Sequence, residues 1–378
     1  MKFYGDFKLG VLGGGQLGRM LIQAATDLNI DIYCLDPDAS APCLGLAKGF
    51  EVGSLTDFDT VYKWGKDKNL ITIEIENVNV EALEKLQAEG VKVFPQPEVI
   101  KIIQDKRVQK QFYKDKNIPT SDFILTDNVE AVKKNASFLP AFQKLGRSGY
   151  DGRGVQRLDT IEDLPKALEG LSLLEKKVDY EKEISVIVAR NEKGEVSAFP
   201  VVELVFHPVH NLVEYLFAPA ALTDAQMKKA TEIATNVIKE LNMVGLLAVE
   251  LFLDKSGEIL VNEVAPRPHN SGHQSIEANF TSQYEQHLRA ILNLPLGSTH
   301  QIMPAAMVNL LGEAGFSGPS EYEGLEEALS MEGVYIHLYG KKCTKPFRKM
   351  GHITITDPKF QSLKEKVEKV KNIVKVKA

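Results

Sequence analysis

The first hundred positions of the chain alternate between short apolar runs and stretches with helical periodicity. Apolar runs that end in Gly, Pro or Asp predict strands, and the amphipathic stretches between them predict helices. The predicted strands end near Gly13 and cover 31–35, 70–75 and 91–94, and the predicted helices cover 16–28 and 80–88. Strands that alternate with helices indicate βαβ units, so this part of the chain predicts a doubly wound α/β domain.

Beyond this domain the pattern changes to short strands with glycine-rich turns. Helices are predicted over 97–116, 224–242 and 283–292. Apolar runs predict strands over 141–144, 173–177, 184–190 and 196–204, and a hairpin over 247–264 with its turn at 254–257. From about residue 300 the chain predicts short strands, a glycine-containing loop and a lysine-rich terminal helix. This mixture is α+β in character.

Composition narrows the class of protein. The chain has 378 residues, 44% hydrophobic and 25% charged, which is typical of a globular protein with two or three domains. A net charge of −6 argues against a general nucleic-acid binder. The cysteines Cys34, Cys43 and Cys343 are scattered, so neither zinc nor a disulfide framework is expected. Because no signal peptide or membrane span is apparent, we expect a cytoplasmic protein with no membrane partner.

A glycine-rich turn follows the first predicted strand. Gly13, Gly15 and Gly18 fit G-x-G-x-x-G, and Asp36 ends the second strand. Such a turn lets a phosphate or ribose approach the backbone at a helix N-terminus, which is typical of dinucleotide sites. The alternative is a tight turn with no ligand, and the sequence leaves both interpretations open.

A second glycine-rich segment runs from Lys144 to Gly154. Its glycines expose backbone amides, and Arg147 and Arg153 add positive charge. This combination predicts a flexible flap that closes over a polyphosphate. A surface hairpin with solvated charges is the less favoured alternative.

The predicted hairpin places two acidic residues in apolar surroundings. If 253 pairs with 258, Glu250 faces 261 and lies roughly 7–8 Å from Glu263 as a diagonal neighbour. Paired carboxylates in such surroundings are costly without a cation, so a magnesium site is favoured over a solvated hairpin face. In a regular strand Asn262 points to the opposite face.

Two further polar segments follow. The loop 265–273 offers Arg267, His269, Asn270 and His273 beside the acidic pair, which suits a small oxyanion. The basic cluster 341–349 is a candidate phosphate site, although a solvated loop is the usual outcome for such a run.

These segments together resemble a known family. Gly149-Tyr150-Asp151-Gly152-Arg153-Gly154 after Lys144, and the string 262–273 after Glu250, resemble the ATP-grasp superfamily and, within it, the 5-(carboxyamino)imidazole ribonucleotide synthases. The segments 12–20, 74–78 and 348–352 agree in the same order. The resemblance implies an ATP-grasp fold: a pre-ATP-grasp domain over 1–104, an ATP-grasp domain over 105–300 with a mobile flap around 146–154, and a small β-rich domain over 301–378.

The resemblance also implies ligands for particular residues. ATP would be bound by Lys106, Lys144, Gly149, Tyr150, Asp151, Gly152, Arg153, Gly154, Val155, Glu175, Lys176, Lys177, Val178, Glu183, Asn262 and Glu263. Mg²⁺ would be bound by Glu250 and Glu263, and the catalytic residues near bicarbonate would be Tyr150, Arg153, Arg267, His269 and Asn270. The acceptor, 5-aminoimidazole ribonucleotide, would be bound by Gln16, Leu17, Glu76, Lys341, Arg348 and Lys349.

The activity that the resemblance implies is an ATP- and bicarbonate-dependent ligation in purine biosynthesis, through carboxyphosphate. A homodimer and a hand-off of product to the downstream mutase are further expectations. Three rival hypotheses are an ATP-grasp ligase for another acid, an NAD-dependent dehydrogenase built on Gly13–Gly18, and a non-catalytic ATP-binding regulator. The dehydrogenase leaves the flap and the acidic pair unexplained, and the regulator conflicts with the intact acids Glu250 and Glu263.

Overall fold

The computed structural model describes residues 6–147, 154–207 and 212–378. The first hundred residues form the predicted doubly wound domain, a parallel sheet with the order β3-β2-β1-β4-β5. Its strands are β1 Leu9–Leu12, β2 Ile32–Asp36, β3 Gly49–Val52, β4 Leu70–Ile73 and β5 Lys92–Val93, and its helices are α1 Gln16–Asp27, α2 Phe58–Gly65, α3 Val80–Ala88 and α4 Pro97–Gln104. β1 and β4 are buried on both faces, which explains their uninterrupted apolar runs. β3 was not predicted because this edge strand is only partly buried.

The single helix predicted over 97–116 is wrong. α4 ends at Gln104, and α5 begins anew as Lys106–Asp115. Asp105 between them is extended, and its carboxylate caps α5 by accepting the Arg107 N–H at 3.0 Å. The break places Lys106 in the first turn of α5, where its N–H donates to the Gly146 carbonyl at 2.8 Å.

A small antiparallel sheet follows, with the order β6-β9-β7-β8. It contains β6 Phe123–Thr126, β7 Ala141–Leu145, β8 Val155–Leu158 and β9 Ser172–Lys176, with α6 Val129–Lys134 beside them. β7 and β9 confirm two of the predicted strands. β7 and β8 flank the flap segment, and the Leu145 N–H donates to the Gly154 carbonyl at 2.8 Å.

In the described part of the chain, nine strands form one antiparallel sheet, β15-β14-β10-β12-β13-β16-β21-β19, with β11 beside β10. They are β10 Tyr180–Arg190, β11 Val196–Ala198, β12 Val202–Phe206, β13 Val213–Ala218, β14 Gly245–Asp254, β15 Ile259–Ala265, β16 Ala305–Leu311, β19 Val334–Leu338 and β21 Lys349–Thr356. The single strand predicted over 196–204 is divided in two. Pro200, which lacks an N–H for a ladder, lies between the two parts.

Helices and short strands complete the second half. They are α7 Asp224–Glu240, α8 Ser275–Ala278, α9 Gln283–Ile291, α10 Leu325–Leu329 and α11 Phe360–Ile373, with β17 Gly318–Pro319, β18 Glu321–Glu323, β20 Cys343–Thr344 and β22 Lys375–Lys377. β13 pairs with β16, Ala218 opposite Ala305, so the large sheet runs across residue 300. The three-domain division of the chain stays a prediction.

The two faces of the large sheet differ in chemistry near β10 and β14. Ile184, Val186 and Val249 belong to an apolar core that also contains residues of α7. Ser185 lies directly opposite Glu250 on the other face. This second face therefore presents the polar side chains of Ser185 and Glu250. Among the described residues, no helix is both long and apolar enough to cross a bilayer.

Candidate active site

The acidic pair lies on the two strands at one edge of the large sheet, and its members are closer together than predicted. Glu250 of β14 and Glu263 of β15 are direct cross-strand partners, whereas Leu251 pairs with Val261. Position 261 was predicted to face Glu250, so the predicted partner is wrong by two residues. One residue comes from the turn, where Leu253 pairs with Ile259 instead of with 258, and the other comes from a β-bulge that inserts Asn262 as an extra residue in β15.

The bulge also changes the direction of Asn262. A regular strand would point Asn262 away from the acids, but its Oδ1 accepts from the Lys144 Nζ at 3.3 Å. Lys144 in turn lies 2.7 Å from Glu175 Oε2. The expectation that Asn262 faces the other side is wrong, and the bulge brings it into the group of residues predicted to bind the nucleotide.

Opposite electrostatic environments surround the two acids. Lys106 lies 2.7 Å from Glu263 and lowers the pKa of that carboxyl, against the effect of burial. Burial raises the pKa of Glu250, and the neighbouring Glu263 and Glu183 raise it further. Lys106 contacts Glu263, whereas the charges of Lys349 and Lys106 do not offset these effects at Glu250, which is left short of positive charge. These residues fit a divalent cation, because oxygen ligands of this kind suit Mg²⁺.

A buried ion-pair network around Glu175 holds Lys144 near the acidic pair. Glu175 of β9 accepts from Lys110 at 2.8 Å and from Ser121 Oγ at 2.5 Å, and it contacts Lys144. Burial opposes the charge on Glu175, but Lys144 and Lys110 outweigh it and lower its pKa to about 2. Because the Glu175 side chain is committed inward, it positions Lys144. Lys110 and Ser121 were not predicted, since their sequence neighbourhood carries no motif.

The other predicted nucleotide-binding residues lie around this network. Lys176 donates to the Phe138 carbonyl at 2.9 Å, and Lys177 lies 3.4 Å from Asp159, so both side chains are engaged with the small sheet. With Val178 they line one wall of a cavity of about 390 Å³. Glu183 is half-buried on the same sheet face as Glu250, and burial raises its pKa.

The flap residues are mostly beyond what the structure describes. Gly149, Tyr150, Asp151, Gly152 and Arg153 lie outside the described residues. Gly154 has a φ of +67°, which favours glycine, and Val155 begins β8 opposite Lys144. The mobile flap remains a prediction.

The loop after β15 joins the acidic pair to the first domain. His269 Nε2 lies 3.5 Å from Glu250 Oε1, and Arg267 Nε lies 2.8 Å from Glu76 Oε1. His269 Nδ1 accepts the Ser271 N–H at 3.3 Å, which leaves the ring proton on Nε2, towards Glu250. Burial, Arg267 and Lys349 lower the pKa of His269 to about 3, so the imidazole is neutral.

The Asn270 side chain is paired with a side chain of the large sheet. Its amide exchanges two hydrogen bonds with the amide of Asn309, at 2.9 and 3.0 Å. The pair is buried. Asn309 lies on β16, far away in sequence, and no local signal pointed to it.

The glycine-rich turn is filled by the protein itself. Glu74, which follows β4, accepts the Gly15 N–H at 2.5 Å and also the Gly18 N–H, and Asp36 accepts the Gly14 N–H at 2.7 Å. A Cβ at Gly13 would lie 2.3 Å from the Glu74 side chain. The glycines therefore make room for Glu74, and a pyrophosphate would meet a carboxylate. This geometry argues against the dinucleotide hypothesis, and sequence reasoning missed Glu74 as a site residue.

The predicted acceptor residues of the first domain lie beside this turn. Gln16 and Leu17 begin α1, and the Leu17 side chain is buried in the core of the domain. Only the backbone of Leu17 is thus available to a ligand. Glu76 is half-buried and held by Arg267.

The basic cluster lies close to the same turn. Lys341 Nζ donates to the Lys349 carbonyl at 2.7 Å, and Arg348 Nη1 donates to the Cys343 carbonyl at 2.7 Å. Burial, with a contribution from Arg348, lowers the pKa of Lys341 to about 8. The charge of Lys349 acts on both Glu250 and His269. The structure thus brings Lys349 to the loop 267–270 across some eighty positions of sequence.

The doubly wound domain, the small sheet beside a large sheet and the acid pair between them define an ATP-grasp protein. Models of three domain families match the chain: the ribonucleotide synthetase preATP-grasp domain over 7–104, the ATP-grasp domain over 111–284 and the phosphoribosylaminoimidazole carboxylase C-terminal domain over 305–366. The predicted ATP-grasp fold is confirmed.

Individual relatives agree with these matches. The N5-carboxyaminoimidazole ribonucleotide synthetase of Thermotoga maritima is 44% identical, with a TM-score of 0.91 and coverage of 98% of this chain and 99% of that one. The synthase of Aspergillus clavatus, solved with ADP and 5-aminoimidazole ribonucleotide, is 34% identical, with a TM-score of 0.87 over 97% and 98% of the two chains. The chloroplastic phosphoribosylaminoimidazole carboxylase of Vigna aconitifolia is 40% identical over 94% of this chain, which spans 65% of that relative's length.

The chain therefore belongs to the N5-carboxyaminoimidazole ribonucleotide synthase family of ATP-grasp enzymes. The resemblance stated from the sequence is confirmed.

Proposed function

We propose that this protein is a ligase that carboxylates the exocyclic amine of 5-aminoimidazole ribonucleotide at the expense of ATP, with bicarbonate as the carbon source. ATP phosphorylates bicarbonate and leaves as ADP. The amine attacks the carboxyl carbon of carboxyphosphate, or the carbon dioxide that carboxyphosphate releases. A C–N bond forms, phosphate departs, and the amine loses a proton. The product is 5-(carboxyamino)imidazole ribonucleotide, an intermediate of purine biosynthesis.

One observation carries this proposal. One short loop contacts both the acid pair and the first domain. His269 of this loop lies beside Glu250, and Arg267 lies beside Glu76 of the first domain. An intermediate made at the acid pair would be within reach of an acceptor held at the first domain. Such proximity is the main catalytic contribution that a phosphoryl-transfer site can make.

On the nucleotide side, Lys106 and Lys144 supply positive charge for the ATP phosphates. They are held by Glu263 and by the Glu175 network, respectively. Glu183, the segment 175–178, Asn262 and the flap residues 149–155 would complete the nucleotide site. Phosphoryl transfer is served by positioned charges and needs no covalent nucleophile from the protein.

Glu250 and Glu263 are proposed as the Mg²⁺ ligands. Bound there, Mg²⁺ would neutralise charge on the transferred phosphoryl group. The fit is supported by the direct pairing of the two carboxylates and by the shortage of positive charge at Glu250.

In the loop, Arg267 and neutral His269 are positioned to bind an oxyanion, with Asn270 at the end of the segment. Arg267 offers a planar fork of donors, and His269 offers an N–H that its hydrogen bond with Ser271 orients. Tyr150 and Arg153 would contribute from the flap. The acceptor would be bound by Glu76, by the first turn of α1 at Gln16 and Leu17, and by the cluster of Lys341, Arg348 and Lys349.

We further propose a homodimer in the cytoplasm that passes its product to the downstream mutase. Membership of the synthase family supports this proposal.

Release of phosphate from ATP tests the function when it is measured alongside fixation of isotope-labelled bicarbonate. Phosphate release and fixation should both depend on 5-aminoimidazole ribonucleotide. Formate, glycinamide ribonucleotide and NAD are the comparison compounds for the rival hypotheses. Label fixed into no product, or stimulation by a different acid, would contradict the proposal.

A further inference from the structure

Three polar side chains form a row across the C-terminal part of the large sheet. Asn309 of β16 is the direct partner of His352 of β21, and His352 is the direct partner of His337 of β19. Direct cross-strand partners lie on the same face of a sheet, side by side. The imidazoles of His352 and His337 stack with ring centroids 4.4 Å apart. We call Asn309, His352 and His337 the polar row.

Each member of the polar row meets one residue of the segment that follows the active-site loop. Asn309 pairs with Asn270, His352 packs against His273 at 4.5 Å between centroids, and His337 Nε2 lies 2.7 Å from Glu277 Oε1. Asn270, His273 and Glu277 are spaced by three and four residues. This is the spacing of one helical face, and the segment is helical in its 3₁₀ turn Asn270–Gly272 and in α8.

The Asn309–Asn270 and His352–His273 contacts are buried, and the His337–Glu277 contact is half-buried. His352 and His273 are almost completely buried, and burial is the main cause that keeps the pKa of each well below its usual range. Tyr339 and Tyr284 hydroxyls bind the Nδ1 atoms of His352 and His273 at 3.0 and 2.9 Å. Apolar residues would fill this interface at lower desolvation cost. Polar groups, unlike apolar ones, match their partners in only one register.

The polar row and the segment that it contacts are each continuous with residues of the candidate active site. The helical segment continues the loop that contains Arg267 and His269. β21 contains His352 and begins three residues earlier at Lys349, whose charge acts on His269 and Glu250. Any slip between the row and the segment would change the separation of Lys349 from the loop.

From this arrangement, and on the basis of the proposed function, we infer that the polar row is a positioning device. It fixes the register of the C-terminal sheet against segment 270–277, so that Lys349 and the oxyanion loop meet at one separation. Asn309, His352 and His337 are not among the residues proposed to bind the nucleotide or the acceptor. They act by ensuring that carboxyphosphate formed at the loop is captured by the amine before it is hydrolysed.

The test is the coupling ratio, phosphate released per label fixed from bicarbonate, measured with ATP, Mg²⁺ and 5-aminoimidazole ribonucleotide. His337→Phe retains a ring for stacking and removes the contact with Glu277. We expect a coupling ratio about threefold or more above that of the wild type, because small misplacements reduce capture strongly, with an unchanged KM for ATP. His337→Gln retains an N–H donor and should restore the wild-type ratio. Tyr335→Phe, an exposed change on the same strand, is the matched control.

Asn309→Leu removes a different contact of the polar row, the one with Asn270. The test therefore does not depend on a single variant, and thermal unfolding checks that each variant folds. A raised ratio in either folded variant supports the inference. An unchanged ratio with only a lower Tm in both would overturn it and leave the row a structural contact. Absence of acceptor-dependent fixation in the wild type would instead overturn the proposed function, and the two failures are thereby distinguishable.

Discussion

Lys106 Nζ lies 2.7 Å from Glu263 Oε2, at the point where α5 begins and β15 bulges. Burial opposes the charge on Lys106, yet Glu263 more than compensates and raises its pKa. Both partners are therefore charged over the physiological range. The pair holds an ammonium beside a carboxylate that faces a second carboxylate, which is the arrangement expected where a cation and a polyphosphate meet.

The first prediction concerns Glu263. Glu263→Gln keeps the shape of the side chain but removes its negative charge. The variant therefore loses the ion pair with Lys106 and one of the two carboxylates of the acid pair. We expect ATP turnover to fall at least roughly a hundredfold, about 3 kcal/mol in the barrier. Glu258→Gln, an exposed change near the turn of the same hairpin, should leave turnover unchanged. Near-normal turnover of Glu263→Gln at saturating Mg²⁺ would remove this residue from the metal site.

The second prediction concerns Glu74. Glu74→Ala leaves the N–H groups of Gly15 and Gly18 without their carboxylate acceptor. We expect a loss of about 2 kcal/mol in the free energy of unfolding, measured by urea denaturation. Glu51→Ala, at an exposed position of β3, is the matched control and should change stability little. Equal stabilities of the two variants would show that Glu74 does not hold the turn.

Elements that leave a periodic pattern of apolar residues in the sequence were predicted, and features set by single residues were not. Periodicity predicted the first domain well, because its central strands are buried on both faces and its helices are amphipathic. It failed at Asp105, since a single capping residue interrupts a helix without interrupting the apolar pattern. It also failed at Pro200, although proline is a known strand breaker.

For the site, local strings identified residues but not their geometry. Glu250 and Glu263 were predicted as a pair, yet their register depended on the pairing beside the turn and on a bulge at Asn262, neither of which the alternation of apolar residues indicates. Some contacts between distant segments were missed. The contacts of Glu74 with the glycine-rich turn and of Asn309 with Asn270 depend on tertiary packing. Such packing leaves no periodic pattern in the local sequence.

The third prediction is a pH dependence at Lys341. Because burial lowers its pKa to about 8, Lys341 is charged at pH 7 and about nine-tenths neutral at pH 9. A phosphate monoester, with a second pKa of about 6, is already mostly dianionic at pH 7 and changes little up to pH 9. Affinity for the acceptor should therefore fall as pH rises through 8, by up to roughly tenfold if the phosphate binds there.

Direct binding of 5-aminoimidazole ribonucleotide between pH 7 and 9 measures this effect. Lys341→Arg is the control, since arginine stays charged and should flatten the profile. A flat wild-type profile would mean that the Lys341 charge does not serve the acceptor.

The last prediction separates the acceptor's phosphate from the nucleotide. A phosphate that takes no part in the reaction serves binding and orientation, and the lysines beside the acid pair are engaged with Glu263 and Glu175. Arg348, oriented by its bond to the Cys343 carbonyl, can bind such a phosphate through parallel donors. Arg348→Ala should raise the acceptor's KM at least about tenfold, or 1.4 kcal/mol, and weaken its salt dependence, while the KM for ATP stays constant. Lys342→Ala, an exposed change in the same loop, should have little effect. If Arg348→Ala instead raises the KM for ATP alone, the basic cluster serves the nucleotide.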